Sequence, residues 1–270
     1  MFDNRDISNA NISGTVIKAL DVLECLAQYS RPMSAQEIAR ICSLSRPTAY
    51  RLLTTLMSRG FVRSDGNYNY LLGIKLLSLG KIVLDSIDLS ELARPHLHEL
   101  CLISNETANL AIVDATDLLY IGKEESPQNA QTPIFVQMRS KVGTRISLHC
   151  AAMGKAILAN LPSEERQSLL NQTMPLKPYT AKTITNLDTL NYELERIRQH
   201  GYAIDDREVD DGTRCVAAPV FDSTGHVIAA ISIAGPAYRL SLDRLYQLSK
   251  DIVRVSQALS KQLGYIGISQ

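Results

Sequence analysis

Apolar residues recur at helical spacing in two short segments near the start of the chain, with a turn between them. Ser34 precedes the first segment, and Glu37 follows it three residues later, which is the spacing of a capping box. Ser45 precedes the second segment, and Pro47 stands in the first turn, where its missing N–H loses no hydrogen bond. The pattern predicts two helices with these inward-facing residues: Ala35, Ile38, Ala39 and Cys42, then Ala49, Leu52, Leu53 and Leu56.

The residues after Gly60, which we expect to end the second helix, predict a small β-hairpin. Residues 61–64 and 68–71 flank Asp65-Gly66-Asn67, a turn sequence with glycine at its centre. An earlier segment supplies a packing surface through Val16, Ala19, Leu20, Leu23 and Leu26. Residues 33–71 therefore predict a winged helix-turn-helix.

The outward side of the second predicted helix is polar and basic. Between residues 31 and 63 there are six arginines and one acid, Glu37. A polar, basic first turn on a helix held by its apolar back suits the major groove of DNA. The residues that we expect to read DNA are Ser45, Arg46, Thr48, Tyr50 and Arg51. The alternative is a protein-docking module, which would more often expose apolar residues.

Charge is divided unevenly along a chain whose net charge is zero. Residues 1–75 hold 9 basic and 6 acidic residues, whereas the remainder holds 19 and 22. A basic end on a slightly acidic body fits contact with phosphate groups at one end. Length, with 270 residues, predicts about two domains. Five cysteines without CxxC spacing, together with the polar, signal-free residues 1–11, predict a protein of the reducing cytoplasm.

Residues 73–86 form a strongly apolar segment between the two predicted domains. It reads as a helix that Gly80 interrupts, and it is too apolar for the solvated linker of a monomer. We expect this helix to pair with a second copy of the chain. A dimer also suits DNA reading, because a two-fold protein matches palindromic half-sites.

The rest of the chain alternates between strand and helix patterns. Helices are predicted at 89–103, 153–160, 187–200 and 242–263, and strands at 107–113, 118–123, 134–138, 202–205, 216–221 and 227–233. Turn sequences at 114–117 and 222–225 join neighbouring strands as hairpins. The arrangement predicts an α+β domain with a mostly antiparallel sheet and helical layers.

Catalytic and metal-binding alternatives rest on isolated residues. Cys215 and His149 could act as a thiol nucleophile and its base, but no sequence feature orients them as a pair. His96 and His98 stand two apart on a predicted helix and so face different directions. No run of about 18 uncharged apolar residues exists, so we expect no membrane span. We expect no catalytic residue, metal site or cofactor.

A set of short motifs resembles the isocitrate lyase regulator (IclR) family of bacterial transcription factors. The matching stretches begin at Leu44-Ser45-Arg46-Pro47-Thr48 and Tyr70-Leu71-Leu72-Gly73 and continue with Leu79-Gly80, Asn105-Glu106-Thr107-Ala108-Asn109, His149-Cys150-Ala151-Ala152-Met153-Gly154-Lys155, Asp211-Gly212-Thr213-Arg214-Cys215 and Ile231-Ser232-Ile233-Ala234-Gly235-Pro236. The resemblance implies a winged helix-turn-helix, a linker helix and a GAF-like effector domain, assembled as dimers and often as dimers of dimers. It also implies a response to small metabolites, often carboxylates.

The resemblance further implies an effector pocket in the second domain. Its ligand contacts correspond to Ala152, Met153, Gly154, Asp205, Cys215 and Ser232, and its apolar wall to Phe135, Met138, Ile146 and Ala234. The N–H groups of the first three lie at a helix N-terminus, which attracts anions. Ser232 could instead fill a polar position in the core, and Cys215 could be a small buried hydrophobe. Lys155 is either a solvated charge or an ion-pair partner.

Ala234 stands where the founding subfamily carries a second serine. We therefore expect a ligand somewhat larger or more apolar than glyoxylate or pyruvate. The expected domains are a DNA-binding domain at 12–74, a linker and dimerisation helix at 75–88, and an effector-binding domain at 89–268. The expected function is a DNA-binding repressor of a catabolic operon, controlled by a small carboxylate; its partners are double-stranded operator DNA, the effector and a second copy of itself.

Overall fold

The computed structural model of the chain describes residues 12–29, 31–86, 88–126 and 141–267. The chain divides into two compact units, Met1–Ile87 and Asp88–Gln270. Each unit has its own core, and each is described by itself below.

The first unit is a winged helix-turn-helix. Its described elements are α1 (Gly14–Tyr29), β1 (Met33–Ser34), α2 (Ala35–Ile41), α3 (Arg46–Ser58), β2 (Val62–Ser64), β3 (Asn69–Leu72) and α4 (Lys75–Ser86). The two predicted helices and the hairpin are confirmed as α2, α3 and the antiparallel pair of β2 and β3. The two-residue strand β1, which pairs with β3, was not predicted.

A compact apolar core holds α3 in place. Val22 and Leu26 from α1, Ile38 from α2 and Leu53 from α3 are buried together. The Ser34 hydroxyl accepts a hydrogen bond from the N–H of Glu37 at 3.3 Å, as the capping box predicts. The pKa of Glu37 is lowered mainly by the hydrogen bond from Arg31. The hydrogen bond from the N–H of Ser34 lowers it less.

Helix α4 runs from Lys75 to Ser86 without a break. The prediction that Gly80 interrupts it was wrong. A glycine inside a helix costs only about 0.5–1 kcal/mol relative to alanine, which does not by itself end a helix.

The second unit is an α+β domain in which helices pack on one six-stranded sheet. Its described elements are α5 (Leu89–Ser104), β4 (Thr107–Asp114), β5 (Asp117–Glu124), β6 (Arg145–Ser147), α6 (Ala152–Asn160), α7 (Ser163–Thr173), α8 (Leu187–His200), β7 (Ala203–Asp206), β8 (Thr213–Phe221), β9 (Val227–Pro236) and α9 (Leu242–Gln262). Every pairing among these strands is antiparallel, in the order β6-β5-β4-β9-β8-β7. Strand β6 and helix α7 were not predicted, and the strand predicted at 134–138 lies outside the described residues.

Helices cover both faces of this sheet. Helix α6 packs on the face that carries Ala111, Ala217 and Ala230, and helix α8 packs against α6. Helices α5 and α9 pack on the other face, where Leu110 and Leu97 both lie close against Gly122. The α6 face is the one that carries the candidate ligand-binding residues.

Candidate functional site

The first turn of α3 is fixed by its own side chains. The Ser45 hydroxyl accepts a hydrogen bond from the N–H of Thr48 at 3.4 Å, and the two hydroxyl oxygens lie 2.8 Å apart. Pro47 stands at the start of the helix, as predicted. The cap satisfies a free N–H of the first turn and stabilises the end of α3 that carries Arg46.

The predicted DNA-reading side of α3 faces solvent. Ala49, Leu52 and Leu53 bury the back of the helix, whereas Arg46, Tyr50 and Arg51 are exposed. The structure therefore brings the five predicted reading residues onto one capped end of one helix, with Ser45 exposed and Thr48 half-buried.

The arginines on α3 and the wing have no carboxylate partners among the described residues. Arg31 is paired with Glu37, but Arg46, Arg51, Arg59 and Arg63 are in no ion pair within the described part of the chain. An unpaired guanidinium can bind a phosphate or the edge of a guanine without first losing a protein partner.

The tip of the wing presents an aromatic residue that the sequence analysis did not single out. Tyr68 adopts a left-handed backbone conformation with φ of 61° and is 89% exposed. Asp65 holds the turn by accepting hydrogen bonds from the N–H groups of Asn67 and Asn69, at 2.8 and 3.2 Å. The hydrogen bond from the Asn69 side chain is the largest effect that lowers the pKa of Asp65. An aromatic residue directly after a polar turn was the available signal.

In the second unit, the N-terminus of α6 is free of any side-chain cap. Ala151 occupies the cap position and makes no side-chain hydrogen bond, and Ala152, Met153 and Gly154 follow as buried residues of the first turn. A Cβ on Gly154 would lie 2.2 Å from the carbonyl oxygen of Leu148, so only glycine fits there. The first-turn N–H groups can bind an anion.

Three of the predicted contacts share the sheet face beneath α6. Asp205 on β7 pairs with Cys215 on β8, and Cys215 pairs with Ala234 on β9. Ser232 lies two residues before Ala234, so the strand alternation places it on the same face. Ser232 and Asp205 are buried, and Cys215 is half-buried.

The sheet is curved, and this face is its concave one. Tyr120 on β5 interacts electrostatically with Cys215, Asp205 and Cys150. In a flat sheet, β5 and β7 would lie about 19 Å apart, four strand spacings. Curvature therefore brings β5 closer to β7 than this spacing, and Tyr120 joins the candidate pocket as a residue that was not predicted there.

The polar groups of the concave face favour their uncharged forms. Burial raises the pKa of Asp205 from 3.8 to about 7 and that of Cys215 to about 12. Burial likewise raises the pKa of Cys150 to about 12 and that of Tyr120 above its ordinary value. Cys215, Cys150 and Tyr120 are therefore uncharged near neutral pH, whereas Asp205 is partly ionised there.

Lys155 on α6 is a buried ion-pair partner, which resolves the two alternatives left by the sequence. Its ammonium group pairs with the carboxylate of Glu208, and its side chain is 1% exposed. The N–H of Glu208 in turn donates to the Asp205 carboxylate at 2.6 Å. The ion pair holds the loop after β7 against α6, and the Glu208 carboxylate compensates the charge of Lys155.

The predicted apolar wall is only partly described. Ile146 packs half-buried against the core beneath α6, and Ala234 is buried. Phe135 and Met138 lie outside the described residues.

Asn109 on β4 is a further polar residue of this face. It pairs with Ser232 in the sheet register, and its amide nitrogen donates to the Ser232 hydroxyl at 3.3 Å. Asn109 was predicted only as part of a family motif and not as a pocket residue. A single amide in an otherwise apolar strand was the signal that could have marked it.

The histidines of the catalytic and metal-binding alternatives lie apart, in different surroundings. The Nε2 atom of His149 lies 3.0 Å from the carbonyl oxygen of Lys177, and burial lowers the pKa of this histidine. His96 is buried and His98 is exposed beside Glu124. Among the described residues no group of three or more potential ligands could hold a metal ion. No described helix is both long and apolar enough to cross a membrane.

The fold defines a class of protein: a winged-helix DNA-binding unit joined in one chain to an α+β unit with a polar concave face. Family models agree along most of the chain. Residues 15–66 match the IclR helix-turn-helix domain, and residues 81–261 match the C-terminal domain of bacterial transcriptional regulators of the IclR type. The chain belongs to the IclR family and is a DNA-binding transcriptional regulator.

Individual relatives are similar over nearly the whole length. The chain is 34% identical to the HTH-type transcriptional regulator KdgR of Dickeya chrysanthemi, over 93% of this chain and 80% of the relative. It is 32% identical to the transcriptional repressor AllR of Salmonella typhi, over 92% and 89%. The crystal structure of the Thermotoga maritima IclR matches with a TM-score of 0.61 and 33% identity, over 93% of this chain and 99% of that one.

Proposed function

We propose that this regulator is a cytoplasmic repressor that binds operator DNA as a homodimer and is controlled by a small carboxylate. The observation that carries the DNA-reading part is the capped first turn of α3, with exposed arginines that have no carboxylate partner within the described residues. The reading residues in this proposal are Ser45, Arg46, Thr48, Tyr50 and Arg51.

Binding to operator DNA tests this assignment. DNA fragments selected by the full chain are used in fluorescence anisotropy with the wild type, Arg46→Ala and Arg51→Ala. If an arginine contacts a base edge, its loss costs about 1–3 kcal/mol, or roughly 5- to 150-fold in affinity. Affinity should also fall steeply between about 50 and 200 mM salt, because phosphate contacts release counterions.

Arg59→Ala is the matched control. Arg59 is exposed at the other end of the same helix, where it forms the C-terminal cap position. It should change affinity much less than Arg51→Ala. If Arg46→Ala and Arg51→Ala both bind selected DNA as tightly as the wild type, the placement of the reading surface is wrong.

Homodimer formation is supported by exposed apolar residues on α4. Leu77 is 68% exposed and Ile82 is 66% exposed, although both are large aliphatic side chains. Exposed aliphatic residues on one helix are typical of a surface that another chain covers. A second copy of α4 would bury them.

The carboxylate site in this proposal is the uncapped N-terminus of α6. Two or three N–H groups would hold the anion, helped by the positive end of the helix dipole. Calorimetry of the full chain against a panel of small acids, with glyoxylate and pyruvate included, tests it. We expect a larger acid to bind more tightly, and glyoxylate as the tightest binder would contradict the expectation drawn from Ala234.

Ala152→Pro tests the location of the carboxylate. Proline is tolerated at the first position of a helix but has no N–H to donate. The loss of one charge-assisted hydrogen bond should weaken acid binding by roughly tenfold or more. If the variant melts like the wild type and binds the acids with unchanged affinity, the ligand carboxylate does not bind at the N-terminus of α6.

The same pocket argues against catalysis by Cys215. Burial raises the pKa of this thiol to about 12, which keeps it protonated near neutral pH, whereas the thiolate is the nucleophilic form. We therefore assign the second unit to ligand binding without chemistry.

A further inference from the structure

The carbonyl oxygen of the Asn109 side chain has no hydrogen-bond partner within the described part of the chain. Asn109 is 1% exposed, so solvent does not reach it freely. A buried acceptor without a partner destabilises the folded state, and such atoms are uncommon in folded proteins. The same atom on a ligand-binding face is a place where a donor from the ligand would gain affinity.

The Asn109 amide is oriented by its contact with Ser232. A hydroxyl can accept a hydrogen bond as well as donate one, so the Ser232 oxygen can accept from the amide nitrogen. The Asn109 amide turns its nitrogen toward Ser232, at 3.3 Å, and its oxygen away from it.

The residues around this oxygen belong to the concave face. Asn109 and Ser232 are register partners on the neighbouring strands β4 and β9, and Cys215 pairs with Asp205 on β8 and β7. Asp205 is buried, with one carboxyl oxygen accepting from the N–H of Glu208. Helix α6 packs on β7, β8 and β9, and Asn109 lies on β4 directly beside β9, so the same face of the sheet offers a ligand an amide acceptor and a carboxyl group.

We propose that Asn109 is a specificity-determining residue whose side-chain oxygen accepts a hydrogen bond from a hydroxyl group of the effector. The effector is thus a hydroxy acid: its carboxylate lies at the N-terminus of α6, and a hydroxyl faces Asn109. This inference rests on the proposed function, because it takes the carboxylate site as given.

A hydroxyl suits this position better than an ammonium group. Burying an ammonium without a charged partner carries a large desolvation cost. The buried carboxylate of Glu208, beside Asp205, is already paired with Lys155, and Asp205 has a raised pKa. A hydroxyl donates the required hydrogen bond without a charge.

Calorimetry with matched acids tests the inference on the full chain. Lactate, propanoate and alanine differ only in a hydroxyl, a hydrogen or an ammonium at one carbon, and D-gluconate and hexanoate form a longer pair. In the wild type, we expect the hydroxylated member of at least one pair to bind at least tenfold more tightly than its deoxy counterpart. We also expect alanine to bind more weakly than lactate.

Asn109→Leu removes the acceptor while keeping a side chain of similar size. It should weaken the preferred hydroxy acid about tenfold and change its deoxy counterpart little, so that the preference disappears. Asn171→Leu, at an exposed position of α7, is the control and should leave the preference intact. Melting curves of both variants report whether the fold is retained.

The outcomes separate this inference from the proposed function. Deoxy acids that bind as well as hydroxy acids, with binding still weakened by Ala152→Pro, would overturn the role of Asn109 and leave the carboxylate site standing. Tighter binding of alanine than of lactate would also overturn it. If none of the five acids binds, the hydroxy-acid inference fails, and the wider acid panel alone tests the carboxylate site. If Asn109→Leu fails to fold, the comparison of hydroxy acids with deoxy acids in the wild type still tests the inference.

Discussion

Asp205 is a buried carboxyl group whose protonation affects the stability of the second unit. Burial raises its pKa from 3.8 to about 7, so the folded chain binds this proton more tightly than the unfolded chain. Below about pH 4 the Asp205 carboxyl is protonated in both the folded and the unfolded chain, and it costs least stability there. As pH rises from 4 toward 7, the unfolded chain loses this proton before the folded chain does, so the free energy of unfolding falls. Above pH 7 the contribution no longer changes.

Asp205→Asn should remove this pH dependence, because an amide keeps the acceptor and has no proton to lose. We expect the variant to melt higher than the wild type, with a difference that grows between pH 5 and pH 7 and then levels off by pH 8, as measured by thermal unfolding of the full chain. Asp206→Asn is the control: although burial opposes it, hydrogen bonds from Lys182 and Arg214 lower the Asp206 pKa to about 2. Its difference from the wild type should stay constant over that range. A constant difference for Asp205→Asn would contradict the assignment.

Gly154 and Gly80 are both helical glycines, but their surroundings predict opposite effects of alanine. At Gly154 a Cβ would lie 2.2 Å from a backbone oxygen of Leu148, whereas at Gly80 it meets nothing within 4 Å. Gly154→Ala should destabilise the second unit by about 1–3 kcal/mol or more. Gly80→Ala should stabilise the first unit by about 0.5–1 kcal/mol. Calorimetric unfolding measures both, and a harmless Gly154→Ala would contradict the tight turn.

At the residue scale, the sequence predicted what local chemistry determines. The Ser45 cap follows from the residue type and its position before an apolar stripe, and the structure confirms it. Asn109 and Tyr120 were not predicted as pocket residues, because their placement depends on strand register and sheet curvature. Both are set by contacts between distant parts of the chain, which local periodicity does not contain.

At the scale of elements, α3 depends on its N-terminal cap. Ser45→Ala removes the acceptor for the N–H of Thr48 and the neighbouring hydroxyl contact. We expect a loss of about 1 kcal/mol in the unfolding free energy of the first unit, measured with denaturant. Ser78→Ala, at an exposed position of α4, is the control and should change stability by less than about 0.5 kcal/mol. Equal effects of the two variants would mean that the cap contributes nothing.

Helix α4 gives a prediction about assembly. Leu77→Glu and Ile82→Glu place a charge on the exposed aliphatic surface that we expect a second copy to cover. Sedimentation at micromolar concentration should show a dimer for the wild type and a monomer for the double variant. Ser78→Glu alters a neighbouring exposed position that is already polar and should disturb the dimer less. A wild type that sediments as a monomer would contradict the proposed homodimer.

Element prediction succeeded where apolar periodicity was long and failed where it was short. The buried stripe of α9, with Leu245, Leu248 and Ile252, predicts one long helix that the structure contains. Strand β6 has three residues and no apolar alternation. Helix α7 buries only Leu170 completely, so its sequence carries almost no amphipathic pattern.

At the scale of the whole molecule, control requires that the ligand and the operator prefer related conformations. A ligand changes operator affinity only as far as it binds two conformations of the protein differently. The coupling is reciprocal: an acid that weakens operator binding tenfold must itself bind tenfold more weakly to the operator complex. The sign is a property of that conformational preference and does not follow from either unit alone.

On the proposed function, the capped end of α3 reads bases in operator DNA. Selection of random DNA by the full chain, followed by sequencing, tests it when the wild type is compared with Arg51→Gln. Arginine favours guanine and glutamine favours adenine in the major groove. We predict a palindromic site whose preferred base changes at one position in each half-site, while the other positions stay the same. Identical sites for both proteins, or no enriched site for the wild type, would contradict the account.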